Sequence, residues 1–212
     1  MTPLENTVAS FLDQLAGRQP TPGGGSASAL GGALGAALGG MAAAYTVGNE
    51  KYARHEAAAR AVQERLVALR TELGVLVAAD MAAYDRYRQA SSLPRATADE
   101  KRARSAALDA AREESTAVPE KMLAAAHAGL VQLDALTRAV NPNLAGDVAS
   151  GAYFFEACAR GAAIQIFANC AAADDAGANA RRRAQASARV EACEALRNTI
   201  HGAVLKLMNI TA

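Results

Sequence analysis

Apolar residues recur every three or four positions along most of the chain, which is the spacing of one face of an α-helix. The pattern is clearest between residues 50 and 90, a segment with no proline and one glycine. There the apolar positions step by four, three, four and three residues, as in a coiled-coil seam, and they are Val62, Leu66, Leu69, Leu73 and Leu76. No segment alternates convincingly between apolar and polar residues over five or more positions. The pattern predicts an all-α fold, with residues 1–212 forming one multihelical domain of long antiparallel helices.

Capping residues, glycines and prolines divide this pattern into separate helices. Thr2, Pro3 and Glu5 have the order of a helix start, and Thr97 with Glu100 forms a second capping box. Proline is favoured in the first turn of a helix, so a new helix is expected at residue 119. Together these signals predict helices near residues 2–16, 26–47, 50–90, 97–118, 119–139, 147–173 and 190–207.

Residues 19–49 contain no charged side chain, and three consecutive glycines open the apolar part. A membrane span, a phosphate-binding loop and a buried helix are the structures that such a stretch could form. Alanine and glycine dominate it and no aromatic belt flanks it, which disfavours a membrane span. A phosphate-binding loop needs a lysine after the last glycine, where Ser26 stands here. A glycine corner that starts a buried helix remains, either as a purely structural corner or as a ligand cradle.

Small residues within this helix are spaced for close packing. Gly31, Gly35 and Gly39 form a stripe that would let a second backbone approach. A stripe of larger residues consists of Leu30, Leu34, Leu38, Met41 and Tyr45. The glycine stripe predicts a close partner and hence a dimer or a larger assembly.

Composition and charge narrow the possible partners. The formal net charge is +1, so no overall positive field attracts nucleic acid, and the run Arg181–Arg183 is either a solvated helix face or a clamp for an anionic ligand. Three widely spaced cysteines and three scattered histidines form neither a disulfide framework nor a zinc motif. The first residues lack the features of a signal peptide, so a cytoplasmic location without membrane contact is expected.

Several motifs, in order along the chain, carry a family resemblance. They are Pro20-Thr21-Pro22-Gly23-Gly24-Gly25-Ser26, Gly48 with Lys51 and Tyr52, Asp80 with Tyr84, Leu93-Pro94, Glu100-Lys101, Arg104, Val118-Pro119, Asn141-Pro142-Asn143, Asp147 and Asn169. In this helical context the chain resembles the cyclodeaminase/cyclohydrolase family of folate one-carbon enzymes over almost its whole length. The resemblance implies an intertwined, all-helical homodimer that binds folate near the subunit interface. It implies no metal and no cofactor beyond the tetrahydrofolate substrate.

The resemblance implies one of two reactions at the 5,10-methenyl bridge of tetrahydrofolate. A cyclodeaminase expels ammonia from 5-formiminotetrahydrofolate and closes the bridge, whereas a cyclohydrolase adds water and opens it to the 10-formyl compound. Asn49 and Glu50 stand where the family usually has lysines. A divergent member acting on another cyclic amidine or imine is therefore one alternative. A non-enzymatic helical oligomerisation protein is another.

Both reactions need a carboxylate that can take and return a proton beside an electrophilic carbon. Asp80 falls on the next step of the apolar seam, where a charge is costly unless something uses it. Its alternative role is a buried residue that fixes helix register. With the resemblance, the predicted catalytic residues are Asp80, Asp147 and Lys51. The predicted substrate-binding residues are Gly23, Gly24, Gly25, Ser26, Tyr84, Asn141, Asn143 and Asn169.

The length of the predicted helix limits which of these residues can lie in one site. Asp147 and Asn169 are 22 residues apart, which is about 33 Å along one straight helix. A shared site would therefore need a kink near Gly161 or a two-fold partner. Asp147 could alternatively be a plain N-cap, and Lys51 an ordinary exposed lysine.

Overall fold

The computed structural model describes residues 7–171 and 176–210. Within these ranges the chain forms six α-helices and two short 3-10 helices, with no strand. The α-helices are α1 (Val8–Ala16), α2 (Gly24–Ala44), α3 (Glu56–Ser92), α4 (Ala98–Thr137), α5 (Ala145–Ala171) and α6 (Ala176–Leu207). The 3-10 helices, Glu50–His55 and Pro142–Leu144, precede α3 and α5. The all-α prediction is confirmed, and the predicted helix start at Thr2 lies outside the described residues.

The seam predicted on α3 is buried in the centre of the molecule. Its members Val62, Leu66, Leu69, Leu73 and Leu76 all belong to the main hydrophobic core. The core continues through leucines of α4 to Phe155 of α5, whose ring occupies the space that a Cβ at Gly129 would need. Asp80 follows the seam at the point where α3 reaches the start of α2.

The small residues of α2 allow two other helices to approach its backbone closely. α2 packs against α3 and α5. A Cβ at Gly32 would lie 2.9 Å from Sγ of Cys158, and one at Gly35 would lie 2.8 Å from the carbonyl oxygen of Gly151. Of the glycine stripe, Gly35 packs against α5 and Gly39 packs against Leu66 of α3 and Leu133 of α4, so the stripe has close partners within the same chain. The inference that the stripe needs a second subunit is wrong for this reason.

Leu34 and Met41 of α2, and its C-cap residue Tyr45, are left at the surface. Leu34 is 46% exposed and Tyr45 is 63% exposed, whereas the buried residues of α2 are all glycine, alanine or serine. With 21 residues and a mean hydropathy of 1.4 in its most apolar window, α2 is long and apolar enough to cross a membrane by length and composition. In this fold it lies against α3 and α5 instead.

α4 runs without a break through Pro119, so the predicted helix start at this proline is wrong. The capping box of Thr97 and Glu100 is confirmed as the start of α4. Proline lacks the N–H that would bond to the carbonyl oxygen of Ser115, four residues earlier. The side-chain amide of Asn169 on α5 donates to that oxygen instead, with 2.6 Å between Nδ2 and O. The acceptor left vacant by the proline is thereby satisfied, and the helix continues.

Replacing Asn169 with alanine is expected to lower the free energy of unfolding by about 1–3 kcal/mol, because the Ser115 carbonyl loses its donor. Urea unfolding of the purified variant measures this. In a Pro119→Ala background the restored N–H satisfies Ser115, so the same substitution should cost much less. An equal cost in both backgrounds would contradict this role for Asn169.

Candidate active site

A carboxylate and a hydroxyl group meet where α3 passes the start of α2. Ser26 donates a hydrogen bond to Asp80, with 2.7 Å between Oγ and Oδ2. Ser26 is completely buried and Asp80 is half-buried. The carboxylate is therefore held between the two helices, on the side of α3 where the seam pattern predicted it.

Gly25 allows the Asp80 carboxylate to come this close. A Cβ at Gly25 would lie 2.6 Å from Cγ of Asp80 and closer still to Oδ1. A Cβ at Gly24 would meet only Nε2 of Gln165, at 3.2 Å, and one at Gly23 would meet nothing within 4 Å. Of the three glycines in the corner, Gly25 is the one that the position of Asp80 requires.

The first turn of α2 presents backbone N–H groups beside this carboxylate. Gly23 is the N-cap residue, and no side chain caps the helix. The first helical hydrogen bond runs from the N–H of Ala27 to the carbonyl oxygen of Gly23, at 3.0 Å. Within the described part of the chain, the N–H groups of Gly24, Gly25 and Ser26 consequently have no acceptor. These donors lie at the positive end of the helix dipole, and the N–H of Gly24, the exposed residue of the three, can bind a ligand oxygen or nitrogen.

Two further polar side chains border the corner. Tyr84 lies one turn beyond Asp80 on α3 and is largely exposed. Gln165 of α5 lies beside Gly24 and is half-buried, and its amide makes no hydrogen bond to any residue that the structure describes. Gln165 is absent from the predicted site residues. The available signal was that it is the one polar side chain between Gly161 and Ala168.

Other predicted site residues lie beyond the opposite end of α2. The hydroxyl of Tyr52 donates to Oδ1 of Asn141 at 3.2 Å, and the N–H of Asn141 donates to Oγ1 of Thr46 at 3.2 Å. Asn141 also accepts from the N–H of Asn143 at 3.1 Å. Nζ of Lys51 lies 5.7 Å from the centre of the Tyr52 ring. These bonds tie the loop that carries Lys51 to the loop that carries Asn143.

Asp147 lies in the first turn of α5, because that helix begins at Ala145. The alternative role as an N-cap is therefore wrong. Asp147 is half-buried, and its carboxylate makes no hydrogen bond or ion pair with the residues that the structure describes. A carboxylate in this position is favoured by the helix dipole and is free to meet another molecule.

Apart from Asn169, whose amide is bound to the carbonyl of Ser115, the predicted site thus divides into two groups within one chain. The corner group contains Gly23–Ser26, Asp80, Tyr84 and Gln165, and the loop group contains Lys51, Asn141, Asn143 and Asp147. The 21 residues of α2 separate the two groups by about 30 Å. α5 is one continuous helix, and Gly161 packs against Ser28, so no kink brings the groups together.

Residues 7–188 match the sequence model of the formiminotransferase-cyclodeaminase family. The chain belongs to this family. A methenyltetrahydrofolate cyclohydrolase from Methylorubrum extorquens is 33% identical over 169 residues, which are 80% of this chain and 81% of that protein. A formimidoyltransferase-cyclodeaminase from Gallus gallus is 29% identical over 76% of this chain, and one from Sus scrofa is 30% identical over 55%. The matched regions are only 30% and 21% of those two longer proteins.

The fold of the chain is also found among solved structures. The crystal structure of formiminotetrahydrofolate cyclodeaminase from Thermotoga maritima matches with a TM-score of 0.79 and 24% identity, covering 97% of each chain. The part of this chain that matches the family begins at Thr7, the N-cap of α1, and ends within α6. It therefore contains both the corner group and the loop group.

Three other candidate reactive side chains, Arg182, Cys158 and Cys193, are occupied by an ion pair or by burial. Arg182, in the middle of the arginine run, pairs with Glu113 of α4 and lowers the pKa of that carboxyl through a hydrogen bond. Burial raises the pKa of Cys158 to about 12 and that of Cys193 to about 11, so neither thiol is a ready nucleophile. Among the described residues, no group of three or more His, Cys, Asp or Glu side chains is arranged to hold a metal.

Proposed function

We propose that this protein opens or closes the 5,10-methenyl bridge of tetrahydrofolate, as a methenyltetrahydrofolate cyclohydrolase or a formiminotetrahydrofolate cyclodeaminase. The observation that carries the proposal is the Asp80 carboxylate, held by Ser26 beside the uncapped start of α2. It combines a proton acceptor with backbone donors in a half-buried place. The proposed enzyme acts in the cytoplasm and uses no cofactor beyond its folate substrate.

For the hydrolase, Asp80 acts first as a base and then as an acid. It takes a proton from a water molecule whose oxygen forms a bond to the methenyl carbon. The bond from that carbon to N5 then breaks, and Asp80 returns the proton to N5. The proton of the new hydroxyl group leaves to solvent as the formyl group forms, so each turnover releases one proton.

For the cyclodeaminase, the same carboxylate assists ring closure instead of ring opening. N10 attacks the carbon of the protonated formimino group, and Asp80 takes the proton of N10. It delivers this proton to the departing NH₂ group, which leaves as ammonia while the methenyl cation forms. Both reactions need one proton carrier near one carbon, and the corner group supplies one.

Absorbance of methenyltetrahydrofolate tests the proposal and separates the two reactions. The hydrolase consumes the methenyl compound and forms it from 10-formyltetrahydrofolate, whereas the cyclodeaminase forms it from 5-formiminotetrahydrofolate with release of ammonia. The similarity to the M. extorquens cyclohydrolase, which extends over 81% of that protein, favours the hydrolase. No absorbance change with any of the three folates would refute the proposed function.

We further propose that the enzyme is a homodimer of antiparallel helices, with each active site shared between subunits. Gly25 meets Asp80, Gly32 meets Leu73 and Gly39 meets Leu66, an order that supports opposite directions for α2 and α3. A two-fold axis across the middle of α2 would bring the corner group of one subunit to the loop group of its partner. This arrangement would join the two groups, which the unbroken α2 and α5 keep apart within one chain.

The exposed large residues Leu34, Met41 and Tyr45 are the proposed contact between subunits, because they form an apolar stripe along one side of α2 and its C-cap. Replacing Leu34 with glutamate is expected to convert a dimer into a monomer at micromolar concentration, as measured by light scattering, since it puts a charge into an apolar contact. The control is Ile164→Glu, which introduces the same charge at another exposed apolar residue, on the side of α5 that faces α6. A wild-type monomer, or an undisturbed Leu34→Glu dimer, would contradict this interface.

A further inference from the structure

We infer that Ser26 is a positioning residue that anchors one oxygen of Asp80 and leaves the other to exchange protons. The inference rests on the proposed function and assigns Ser26 a role different from the substrate contact that the sequence predicted. Ser26 has no exposed surface, so a bound substrate cannot reach its side chain without displacing the packing around it. Its hydroxyl points instead at Oδ2 of Asp80.

The hydrogen bond distinguishes the two carboxylate oxygens. Oδ2 accepts from Ser26 at 2.7 Å, whereas Oδ1 has no donor among the residues that the structure describes. Oδ1 lies beside Gly25, in the first turn of α2, where backbone N–H groups lack acceptors. A proton taken up during the reaction therefore goes to Oδ1, because Oδ2 already receives the proton of the hydroxyl group. The same hydrogen bond persists in both protonation states, so the carboxyl group keeps its orientation through the catalytic cycle.

The surrounding residues leave few other means of holding the carboxylate. In the described part of the chain no lysine or arginine pairs with Asp80, and Ser26 is its one hydrogen bond donor. Gly25 makes room for the carboxylate, and Ser26 fixes it there. The sequence Gly25-Ser26 therefore acts as a unit: the glycine provides the space and the serine provides the donor.

The first test is Ser26→Ala, which removes the hydroxyl group and keeps a residue that favours helix. Turnover is expected to fall roughly 10–100-fold, the usual value of a hydrogen bond to a charged group, with KM nearly unchanged. Gly25→Ala, which crowds the carboxylate without removing any polar atom, should give a loss in the same range. Thr199→Ala removes a hydroxyl that bonds to its own helix on α6 and should leave turnover at the wild-type level.

A double-mutant cycle with Asp80→Asn decides how Ser26 acts. If Ser26 works through Asp80, Ser26→Ala should have almost no further effect on turnover in the Asp80→Asn background. A full effect in that background, or a large rise in KM, would instead indicate direct contact with substrate and overturn the inference. A lowered melting temperature with wild-type turnover per folded molecule would also overturn it, as a purely structural role.

A measurement without substrate separates this inference from the proposed function. Carbon NMR of the Asp80 carboxyl group at one fixed pH should show a different chemical shift in Ser26→Ala than in the wild type, because the carboxylate has lost its hydrogen bond. If that resonance moves while the wild-type protein turns over no folate, the positioning role stands and the folate reaction fails. If the resonance does not move in a protein that is active on folates, the reaction stands and the positioning role fails.

Discussion

Replacing Asp80 with asparagine is expected to lower turnover by roughly 10²–10⁴-fold, the usual value of general acid–base catalysis. Asparagine keeps the shape of the side chain and still offers an oxygen to the Ser26 hydroxyl, but it cannot carry a proton between water and N5. Ligand affinity should change much less, because the backbone donors at the start of α2 are untouched. Steady-state kinetics on the methenyl compound, with folate affinity measured separately, checks both parts.

Asp85→Asn is the matched control for this experiment. Asp85 lies on the same helix, is exposed and makes no hydrogen bond or ion pair within the described chain, so its replacement should leave turnover unchanged. If Asp80 only fixes helix register, Asp80→Asn should instead lower the melting temperature and leave turnover per folded molecule nearly normal. A stable Asp80→Asn protein with near-normal turnover would remove Asp80 from the mechanism and leave Asp147 as the candidate base.

The position of Asp80 could be predicted from the sequence because it depends on local periodicity. The apolar seam of α3 repeats regularly up to Leu76, and the next step falls on a charged residue. A helix of this length keeps its faces in register, so a break in the pattern identifies an inward-facing charge. The partner of that charge, Ser26, is 54 residues away in sequence, and no local pattern indicates that the two meet.

The path of α4 through Pro119 could not be predicted, because it depends on a contact between helices. A proline normally ends or starts a helix, and the local sequence carries no exception to this rule. The exception is the amide of Asn169, which lies 54 residues after Ser115 and reaches its carbonyl oxygen from α5. The hydrogen bond of Asn169 thus explains why α4 continues through Pro119, and it gives this asparagine a structural role.

The packing face of α2 also could not be predicted from the sequence. The sequence shows both a glycine stripe and a stripe of large residues on this helix, but periodicity does not indicate which of the two faces the core. α5 packs closely against α2, with Gly151 against Gly35, so the face of small residues is buried and Leu34 and Tyr45 remain exposed to solvent. The division of the predicted site into two groups follows from the same geometry, because both ends of a straight 21-residue helix cannot meet within one chain.

The departure from the family pattern at Asn49 also has a local explanation. The side chain of Asn49 accepts a hydrogen bond from the N–H of Lys51 at 3.1 Å and caps the 3-10 helix that carries Tyr52. A lysine could not accept that bond. Asn49 therefore lacks the positive charge of the family's lysine but caps the 3-10 helix Glu50–His55. Tyr52 of that helix is hydrogen-bonded to Asn141 of the loop group.

Heterodimers that carry one inactivating substitution on each subunit test whether the active site is shared. Asp80→Asn and Asp147→Asn homodimers are each expected to lose at least about 10²-fold in turnover, because every site then lacks a carboxylate. Co-expression with two different affinity tags yields heterodimers of the two variants. If the corner group works with the loop group of the partner, one site of each heterodimer is intact and the other carries both substitutions. Turnover should then recover to about half of the wild-type value per dimer.

A second heterodimer, with both substitutions on one subunit, should be inactive if the sites are shared, and it distinguishes shared sites from sites formed within one chain. Here one subunit is wild type and the other carries both Asp80→Asn and Asp147→Asn. With shared sites each site has one defect, so this heterodimer should be as inactive as the single variants. If each chain instead formed its site alone, the wild-type subunit would keep about half of the dimer's turnover, and the first heterodimer would be inactive. Shared sites therefore make the first heterodimer active and the second inactive, and sites formed within one chain make the first inactive and the second active. Full turnover of the Asp147→Asn homodimer would show that Asp147 takes no part in catalysis in either arrangement.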